Sequence, residues 1–531
     1  NIKAKELKKA MKTKEHHWLS FLTGSGKVEE EKIATDEEIL MELYRDRGFL
    51  EAAVNTPKAV PYKDGVELVV SIDEGELYRI GNITTSGNTL YDNAKLASAY
   101  RIQSGQPASM RSIEQTAEAI RDIYGAEGYL ETAVRHQLNP GKEPLTLDLN
   151  YAISESQQFK VGSINVEGNT VTKSIVVARE INLAPADTFS STKMKVSESR
   201  LKNTGHFESV NLSDEATDEE GIRDLRVAVT EGQTGNFMFG AGLSSLDKAT
   251  IFGEFRQGNF DLLNYRNFFR GDGQKFRLYL SLGEESSEAT LNWEEPWLFD
   301  KRLAFGVNLY RNENDYISSE YNERRAGFEL YLRKRLFELV DGRLGYRRET
   351  VDIFEIADDA SPAIFAEEGE RGISKLALTL TRDTRDQVIF PTKGNRVELT
   401  TELAGGVLGN DTDYWKVDLR GAQYFHVTDR WVPQYLTLLG RVGTIDAFND
   451  NTVPLFDKFF LGGPNSIRGF AYRKAGPKDA GEPIGGKSYG FGSLEYAFQV
   501  FEPMQLAAFY DWGFVNRGVG DFSTADYNDS W

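Results

Sequence analysis

The composition of the chain excludes several functional classes. Its 531 residues are 40% hydrophobic and 12% aromatic, which excludes a disordered chain. With 62 Lys and Arg against 81 Asp and Glu, the net charge is −19, so a nucleic-acid partner held through its phosphates is not expected. Cysteine is absent, which excludes disulfides, thiol catalysis and cysteine-ligated metals. The five histidines are scattered apart from the pair His16-His17, and we expect neither a metal nor a cofactor.

The first part of the chain contains a repeat. Residues 78–110 align with residues 159–191 at an offset of 81, and Gly87 then coincides with Gly168. A helical stretch that ends at glycine and continues into a β-rich run also recurs, with its glycine at position 48, 128 or 205. Each unit therefore predicts one strand, two helices and two further strands.

The predicted modules are small mixed sheets with exposed edges. The first copy lacks its opening strand and the chain starts without Met, so we interpret the start as a cut inside a longer protein. An array of this kind is either a spacer or a set of edges onto which extended peptides add as strands. The predicted module boundaries are 1–76, 77–156 and 157–234.

From Asn236 onward the pattern changes to period two. The segment 395–403, "NRVELTTEL", places apolar residues on one face and charged residues on the other. A soluble sandwich also alternates in this way. Strands of about ten residues and the long polar insertions 354–372 and 444–487 favour an antiparallel transmembrane β-barrel over residues 235–531. No hydrophobic run reaches the ~18 residues of a spanning helix, so a membrane form of this chain has to be a closed barrel.

The number of strands sets a second expectation. About thirteen alternating segments lie between residues 236 and 515, whereas single-chain bacterial barrels have even strand numbers. The C-terminal segment 516–531 is predicted to be a polar loop without a strand. We therefore expect a barrel of 16 strands, of which about 13 are present and roughly three are missing from this end.

A glycine-rich loop, "LGGPNSIRGF" at 461–470, carries a single arginine, Arg468. It lacks the Gly-Lys-Ser/Thr ending of a nucleotide-binding loop. Strand alternation turns Glu495 and Asp511 towards the lumen. A turn centred near Glu502-Pro503 pairs residues whose numbers add up to about 1005, so the two acids are predicted to lie nearly opposite each other on neighbouring strands. Two neighbouring carboxylates repel, and a guanidinium fork suits both. We predict that Arg468 pins the loop inside the lumen through these two acids; the alternative is an ordinary solvated arginine.

These residues resemble a known family. "NSIRGF" is similar to the Val/Ile-Arg-Gly-Phe/Tyr loop signature of the BamA family of outer-membrane insertases, and the modules resemble its POTRA domains. "EEPWLFDKR", "FPTKGNRVELT", "SLEY" and "FYDWG" are similar to its barrel-strand signatures. The insertion 13–32 is similar to that of the third of five POTRA domains, which implies that the modules are the third to the fifth. The lumen motif that the resemblance implies is Ile467, Arg468, Gly469 and Phe470, with Glu495 and Asp511 as its carboxylate partners.

The resemblance implies catalysed folding and insertion of β-barrel clients into the bacterial outer membrane, without covalent chemistry, so the protein is not expected to be an enzyme. The modules are expected in the periplasm. The implied partners are unfolded β-barrel clients, accessory lipoproteins or other subunits of an assembly complex, and outer-membrane lipid. The implied seam, where client strands add, is the first barrel strand, beginning Asn236, Phe237, Met238, Phe239, Gly240.

Two questions stay open at this level. Gly240 and Gly242 are compatible with an edge that opens, but strand glycines also occur at tight bends. A secretion pore of the two-partner type or a translocation-and-assembly transporter shares the loop and modules. A soluble all-β enzyme would need a catalytic motif such as Gly-x-Ser-x-Gly or His-Glu-x-x-His, which the sequence does not contain.

Overall fold

The computed structural model describes residues 1–16, 20, 26–62, 65–244, 248–315, 317–318, 320–430, 432–448, 451–501 and 504–531. His17 and the turn Glu502-Pro503 lie outside these residues. The chain forms two compact units. The first contains Asn1–Gly168, Glu180–Thr204 and Ser209–Thr230, and the second contains Asn169–Arg179, Gly205–Glu208 and Glu231–Trp531.

The second and third N-terminal modules confirm the predicted order of strand, two helices and two strands, whereas the first module begins with a helix, as expected for a copy without its opening strand. The helices of this part are α1 (Ala4–Ala10), α2 (Glu30–Asp46), α3 (Asn93–Ala97), α4 (Met110–Ala126), α5 (Ser174–Ala178) and α6 (Ser191–Asn203). The strands are β1 (Ala53–Val54), β2 (Lys58–Tyr62), β3 (Gly65–Val69), β4 (Ile72–Asp73), β5 (Arg79–Ser86), β6 (Ala133–Pro140), β7 (Thr146–Ser154), β8 (Lys160–Glu167), β9 (Phe207–Ala216) and β10 (Ile222–Glu231).

The second and third modules have the same sheet topology. Their strand orders are β5-β7-β6 and β8-β10-β9, and the first strand of each module runs parallel to the last. In the second module, helix α4 starts after Ser109, whose side chain accepts a hydrogen bond from the backbone N–H of Ser112. Its fully buried face, with Ile113, Ile120 and Tyr124, covers the sheet. The helical period therefore places one apolar stripe against one sheet face.

The repeat glycines have a physical reason. Gly87 and Gly168 have φ angles of +82° and +87°, which residues with a side chain rarely adopt. A Cβ atom at Gly87 would collide with the carbonyl oxygen of Ile153, and one at Gly168 with that of Val229. In both modules the chain thus leaves its first strand by passing against the backbone of the last strand, which only glycine permits.

Among its described residues, the second unit contains a sheet of 14 antiparallel strands. Its strands are β11 (Gly235–Ser244), β12 (Lys248–Phe260), β13 (Gln274–Gly283), β14 (Ser286–Glu295), β15 (Ala304–Asn314), β16 (Asn322–Phe337), β17 (Val340–Phe354), β18 (Gly369–Asp383), β19 (Gly394–Ala404), β20 (Tyr414–Thr428), β21 (Gln434–Ala447), β24 (Ser488–Phe501), β25 (Met504–Asn516) and β26 (Asn528–Ser530). Each strand pairs with the next, and β21 pairs with β24 because the intervening loop carries the hairpin β22 (Lys478–Asp479) and β23 (Glu482–Pro483). Within the described residues, β11 and β26 are the free edges of this sheet.

The count of thirteen strands between residues 236 and 515 is confirmed, but the prediction for the C-terminal segment is wrong. Residues 528–530 form β26, which pairs antiparallel with β25 from Asp511 to Gly513. The polar composition of this segment hid the strand, because its three residues are too few to show alternation.

The two faces of the large sheet differ in polarity, as the transmembrane barrel prediction requires. Leu280, Leu282 and Leu309 are exposed on the outer face, at 49%, 63% and 46%. The inner face carries acidic residues that are almost fully buried, among them Glu254 and Glu349. A short helix, α7 (Pro362–Phe365), lies in the connection between β17 and β18. This polarity is typical of a membrane barrel with a polar lumen.

No helix within the described ranges is both long enough and apolar enough to cross a membrane.

Candidate functional site

The loop between β21 and β24, described at residues 448 and 451–487, folds into the core of the large sheet. Its apolar residues Leu461, Ile467 and Ala475 are buried in one cluster with inner-face residues such as Tyr489 and Phe491. This loop, here called the lumen loop, therefore has a packed structure. Among the polar contacts that fix it to the sheet are those of Arg468 and those of Asp457.

Glycines shape the tip of the lumen loop. Gly462 and Gly463 have φ angles of +107° and +100°, and a Cβ atom at Gly462 would lie 2.5 Å from the carbonyl oxygen of Ala471. The backbone N–H of Gly462 donates to Oγ of Ser466 at 2.8 Å. The tight, glycine-dependent turn before Arg468 is thus present.

Arg468 lies between the two predicted acids. Its Nε and Nη2 donate to the two oxygens of Asp511 at 2.7 and 2.8 Å, and its backbone N–H donates to Oδ2 of Asp511 at 3.1 Å. Nη1 donates to Oε2 of Glu495 at 2.8 Å. The hydrogen bond to Asp511, followed by that to Glu495, raises the pKa of Arg468 above its ordinary value. The structure brings these three residues together around one bidentate and one single ion pair.

The predicted register of the two acids is wrong by one position. Phe501 pairs with Met504, which agrees with a sum of 1005, but the register shifts between Gln499 and Phe501 and the sum becomes 1004. Asp511 therefore lies opposite Ser493, and Glu495 lies opposite Phe509. A β-bulge next to the turn adds one residue to one strand, and alternation alone does not reveal such an insertion.

Two further residues complete the site, and the sequence reasoning missed both. Ser493 donates its hydroxyl to Oδ1 of Asp511 at 2.6 Å and accepts from Nη2 of Arg468 at 3.2 Å. The ring of Phe509 lies 3.6 Å from Cζ of Arg468, a cation–π contact. Both follow from the same alternation that selected the two acids, since each lies two residues from one of them on the same strand.

The other three residues of the predicted lumen motif shape the loop around Arg468 and pack it against the apolar cluster. Ile467 is fully buried, and its Cδ1 would lie 3.4 Å from a Cβ placed on Gly513. Gly469 has a φ of +86°, and Phe470 is partly buried against the apolar cluster. The motif thus alternates an apolar anchor, an ion pair, a turn and a second apolar contact.

A second attachment holds the start of the lumen loop, and no sequence pattern predicted it. Asp457 lies in a short 3-10 turn, Leu455–Asp457, and faces Nζ of Lys375 at 3.9 Å. Lys416 donates its Nζ to the backbone carbonyl of Asp457 at 3.0 Å, and Nη2 of Arg325 donates to that of Phe456 at 3.1 Å. The start of the loop is therefore attached to β16, β18 and β20, whereas Arg468 is attached to β24 and β25.

The predicted seam strand, β11, has its aromatic side chains on the outer face. Phe237 and Phe239 are 70% and 81% exposed, and Phe237 stacks on Phe255 of β12 with ring centroids 4.5 Å apart. Gly240 lies opposite Phe252, and a Cβ atom there would be 2.5 Å from that ring. The glycine therefore makes room for an aromatic ring, a packing role that neither of the two earlier interpretations included.

Comparison with known proteins shows which sequence families and relatives this chain resembles. The sequence profile of the Omp85 superfamily domain matches residues 267–530, and the POTRA profile, described as a surface antigen variable number repeat, matches residues 1–75, 78–156 and 159–232. The outer membrane protein assembly factor BamA of Nitratidesulfovibrio vulgaris is 27% identical, with 98% of this chain and 65% of the relative covered. The protein of the same name from Neorickettsia risticii is 25% identical, with 99% and 69% covered.

A solved structure shows the same fold. The crystal structure of BamA from Haemophilus ducreyi lacking POTRA domains 1–3 matches with a TM-score of 0.66 at 20% identity, covering 82% of this chain and 87% of that one. The chain spans about two thirds of the length of the curated relatives named above. POTRA repeats are followed here by an Omp85 domain, and the chain therefore belongs to the Omp85 superfamily, with BamA proteins among the relatives that it resembles over nearly its whole length.

Proposed function

We propose that this chain folds β-barrel proteins and inserts them into the bacterial outer membrane, with its POTRA modules on the periplasmic side. The observation that carries the proposal is the similarity to outer membrane protein assembly factors over nearly the whole chain, modules and barrel together. The alternative, a polypeptide transporter of the two-partner or translocation-and-assembly type, shares the same building blocks.

The modules supply edges for client strands. In the second module β5 and β6 are the outer strands of a three-stranded sheet, and the outer edge of β5 is bridged at its start, where Arg79 pairs with Pro107. Alternate side chains of β5 are exposed or half-buried. An extended client segment can add to such an edge through backbone hydrogen bonds, which do not depend on the client's sequence. This independence suits a protein that handles many different clients.

The barrel supplies the insertion step. A backbone N–H or C=O group that enters lipid without a hydrogen-bond partner costs several kcal/mol, so a client strand has to exchange partners rather than lose them. Pairing to the edge of β11 gives a client strand those partners at the membrane, and no nucleotide is needed. We propose β11, from Asn236 to Gly240, as the seam strand.

The attachments of the lumen loop bear on the route that a client takes. It is attached on one side through Asp457 and on the other through Arg468, and its buried apolar residues pack on the inner face of the sheet. An exported polypeptide would have to displace both attachments. Clients that leave at the seam do not cross this region. We further propose that the protein acts with other subunits of an assembly complex, accessory lipoproteins among them.

The test is reconstitution of the full-length protein into liposomes with an unfolded β-barrel client. Folded client is measured by its resistance to protease and its heat-dependent gel migration, and ion conductance is recorded on the same preparation. We expect client folding well above that in empty liposomes, without large conductance. Arg468→Ala is expected to reduce client folding, whereas Arg396→Gln, which changes another lumen-facing ion-paired arginine, serves as the matched control. Large conductance together with transport of a soluble polypeptide would establish the transporter instead.

A further inference from the structure

A basic cavity of about 550 Å³ opens on the inner face of the large sheet, at the strand ends joined by the connection from β12 to β13. Of the twelve residues that line it, five are cationic and one is anionic. The cationic residues are Arg256, Lys275, Arg277, Arg333 and Arg343. The lining of this basic cavity is therefore positively charged, although the whole chain has a net charge of −19.

Three carboxylates contact these five cations. Glu254 pairs with both Arg256 and Arg277. Glu294 accepts from Nη2 of Arg333 at 2.8 Å and lies 3.4 Å from Nζ of Lys275. Glu329 accepts from Nη1 of Arg343 at 2.8 Å. Five cations against three carboxylates leave two positive charges in excess, and the carboxylates are the buried members of these pairs.

The register places like charges directly opposite each other. Arg256 pairs with Arg277 between β12 and β13, and Arg333 pairs with Arg343 between β16 and β17. Like charges at paired positions destabilise a sheet. Glu254 lies between the first two arginines, and Glu294 and Glu329 each pair with one arginine of the second pair, so the repulsion is only partly compensated. A local arrangement that costs stability is typical of a functional site.

The arginines retain hydrogen-bond donors for a ligand. Arg333 uses only Nη2 for its hydrogen bonds to Glu294. Arg343 uses Nη1 for Glu329, and its guanidinium stacks on the ring of Tyr331 at 4.2 Å. Tyr331 in turn donates to Glu294 at 2.7 Å, which holds that carboxylate at the wall of the cavity. The remaining N–H groups form forks of the kind that bind carboxylates or phosphates in two-point contacts.

We propose that this basic cavity binds an acidic segment of a polypeptide. The anion has to reach the inner face, whereas the leucines that face lipid lie on the opposite side of the same strands, so a lipid headgroup is disfavoured. An extended acidic chain presents several carboxylates in a row and can engage both arginine pairs at once. The proposal deepens the proposed function by naming the chemistry of one client segment, and it rests on that function only for the source of the segment.

The test measures binding without insertion. The full-length protein in detergent micelles is titrated against a fluorescein-labelled peptide of six glutamates, and fluorescence anisotropy reports the Kd at several salt concentrations. Peptides of six glutamines and six lysines are the matched probes. We expect the glutamate peptide to bind more tightly than both, with an affinity that falls as salt is raised.

The variant Arg333→Gln with Arg343→Gln removes one opposed pair. Glu294 keeps Lys275, and Glu329 keeps Arg347 at 3.8 Å, so no carboxylate is left without a cation. We expect a loss of affinity of at least about tenfold, since two charge-assisted contacts disappear. Arg396→Gln is the control, because Arg396 is also half-exposed and paired with one carboxylate, Glu398 at 2.7 Å, on another part of the inner face. We expect no change of affinity there.

The outcomes separate this proposal from the proposed function. Equal affinity of the double variant and the native protein would overturn the site. Inorganic pyrophosphate that binds as tightly as the glutamate peptide would show a small-anion site and overturn the polypeptide ligand. If the double variant fails to fold, Arg256→Gln replaces it, because Glu254 stays paired with Arg277 in this variant. We expect Arg256→Gln to weaken binding of the glutamate peptide as well. Failure of client insertion with intact peptide binding would contradict the proposed function alone.

Discussion

Replacement of Arg468 by alanine is expected to destabilise the barrel by about 3 kcal/mol. The arginine makes three hydrogen bonds to Asp511, one of them from its backbone, and one to Glu495. Removal of one member of a buried ion pair costs roughly 3–5 kcal/mol because the other charge stays buried. The side chain of Asp511 is 0% exposed, but those of Arg468 and Glu495 are 28% and 30% exposed, so solvent screening places the expected cost at the low end.

The physical cause can be isolated with a double-mutant cycle. In Arg468→Ala, Asp511 retains only the Ser493 hydroxyl and the backbone N–H of residue 468. Asp511→Asn then removes the uncompensated charge, so we expect the double variant to be about as stable as Arg468→Ala or more stable. Arg468→Lys keeps the charge but not the fork and should be intermediate. The measurement is the urea concentration at which the folded band of reconstituted protein converts to the unfolded band on a gel.

The result that refutes this reasoning is additivity. If Arg468→Ala and Asp511→Asn each destabilise the barrel and their costs simply add, the two side chains do not act as a pair. Stability equal to that of the native protein in Arg468→Ala would contradict the attachment of the lumen loop through the arginine.

Three further variants test other parts of the structure. Burial lowers the pKa of His206 to about 4, below its ordinary value near 6.5, so the unfolded chain binds this proton at a higher pH than the folded chain does. The free energy of unfolding should therefore fall by about 3 kcal/mol as the pH drops from 6.5 to 4. His206→Gln should remove this fall from a series of denaturation curves measured across that pH range. Gly306→Ala places a methyl carbon too close to Cζ of Tyr331 and should cost about 1–3 kcal/mol in urea denaturation, whereas Gly421→Ala, with no atom within 4 Å, should cost nothing. Gly87→Ala meets both a left-handed backbone and a carbonyl oxygen, and it should lower the thermal midpoint of its module more than Gly105→Ala, where φ is also positive but no atom lies within 4 Å.

The sequence predicted the faces of the strands better than their pairing. Side chains alternate strictly along a strand, so the period of two was sufficient to turn Glu495 and Asp511 towards the lumen. Pairing depends on each inserted residue, and the bulge near Gln499 moved the register by one position. The strand β26 was missed for a related reason, since three polar residues carry no periodic signal.

The attachment of the lumen loop through Asp457 could not be predicted from a local pattern. It joins Asp457 and its neighbour Phe456 to Lys375, Lys416 and Arg325, and the last of these contacts spans 131 positions of the chain. Charged residues on inward positions were visible in the sequence, but their partners depend on how the loop folds back. The arginine was predictable because it is the single charged residue of a glycine-rich segment and because strand alternation turns two acids of the following strands towards the lumen.

The two attachments of the lumen loop have a consequence for the seam. The contacts of Asp457 lie on β16, β18 and β20, and those of Arg468 lie on β24 and β25. The loop therefore connects two parts of the sheet that are not neighbours, and it resists their separation through buried ion pairs. Neither attachment uses β11, which is held to β12 by backbone pairing and by aromatic contacts such as Phe252 over Gly240. Movement of β11 does not require either ion-paired attachment to break, so the rigid part of the barrel and the strand proposed to exchange with clients are stabilised by different interactions.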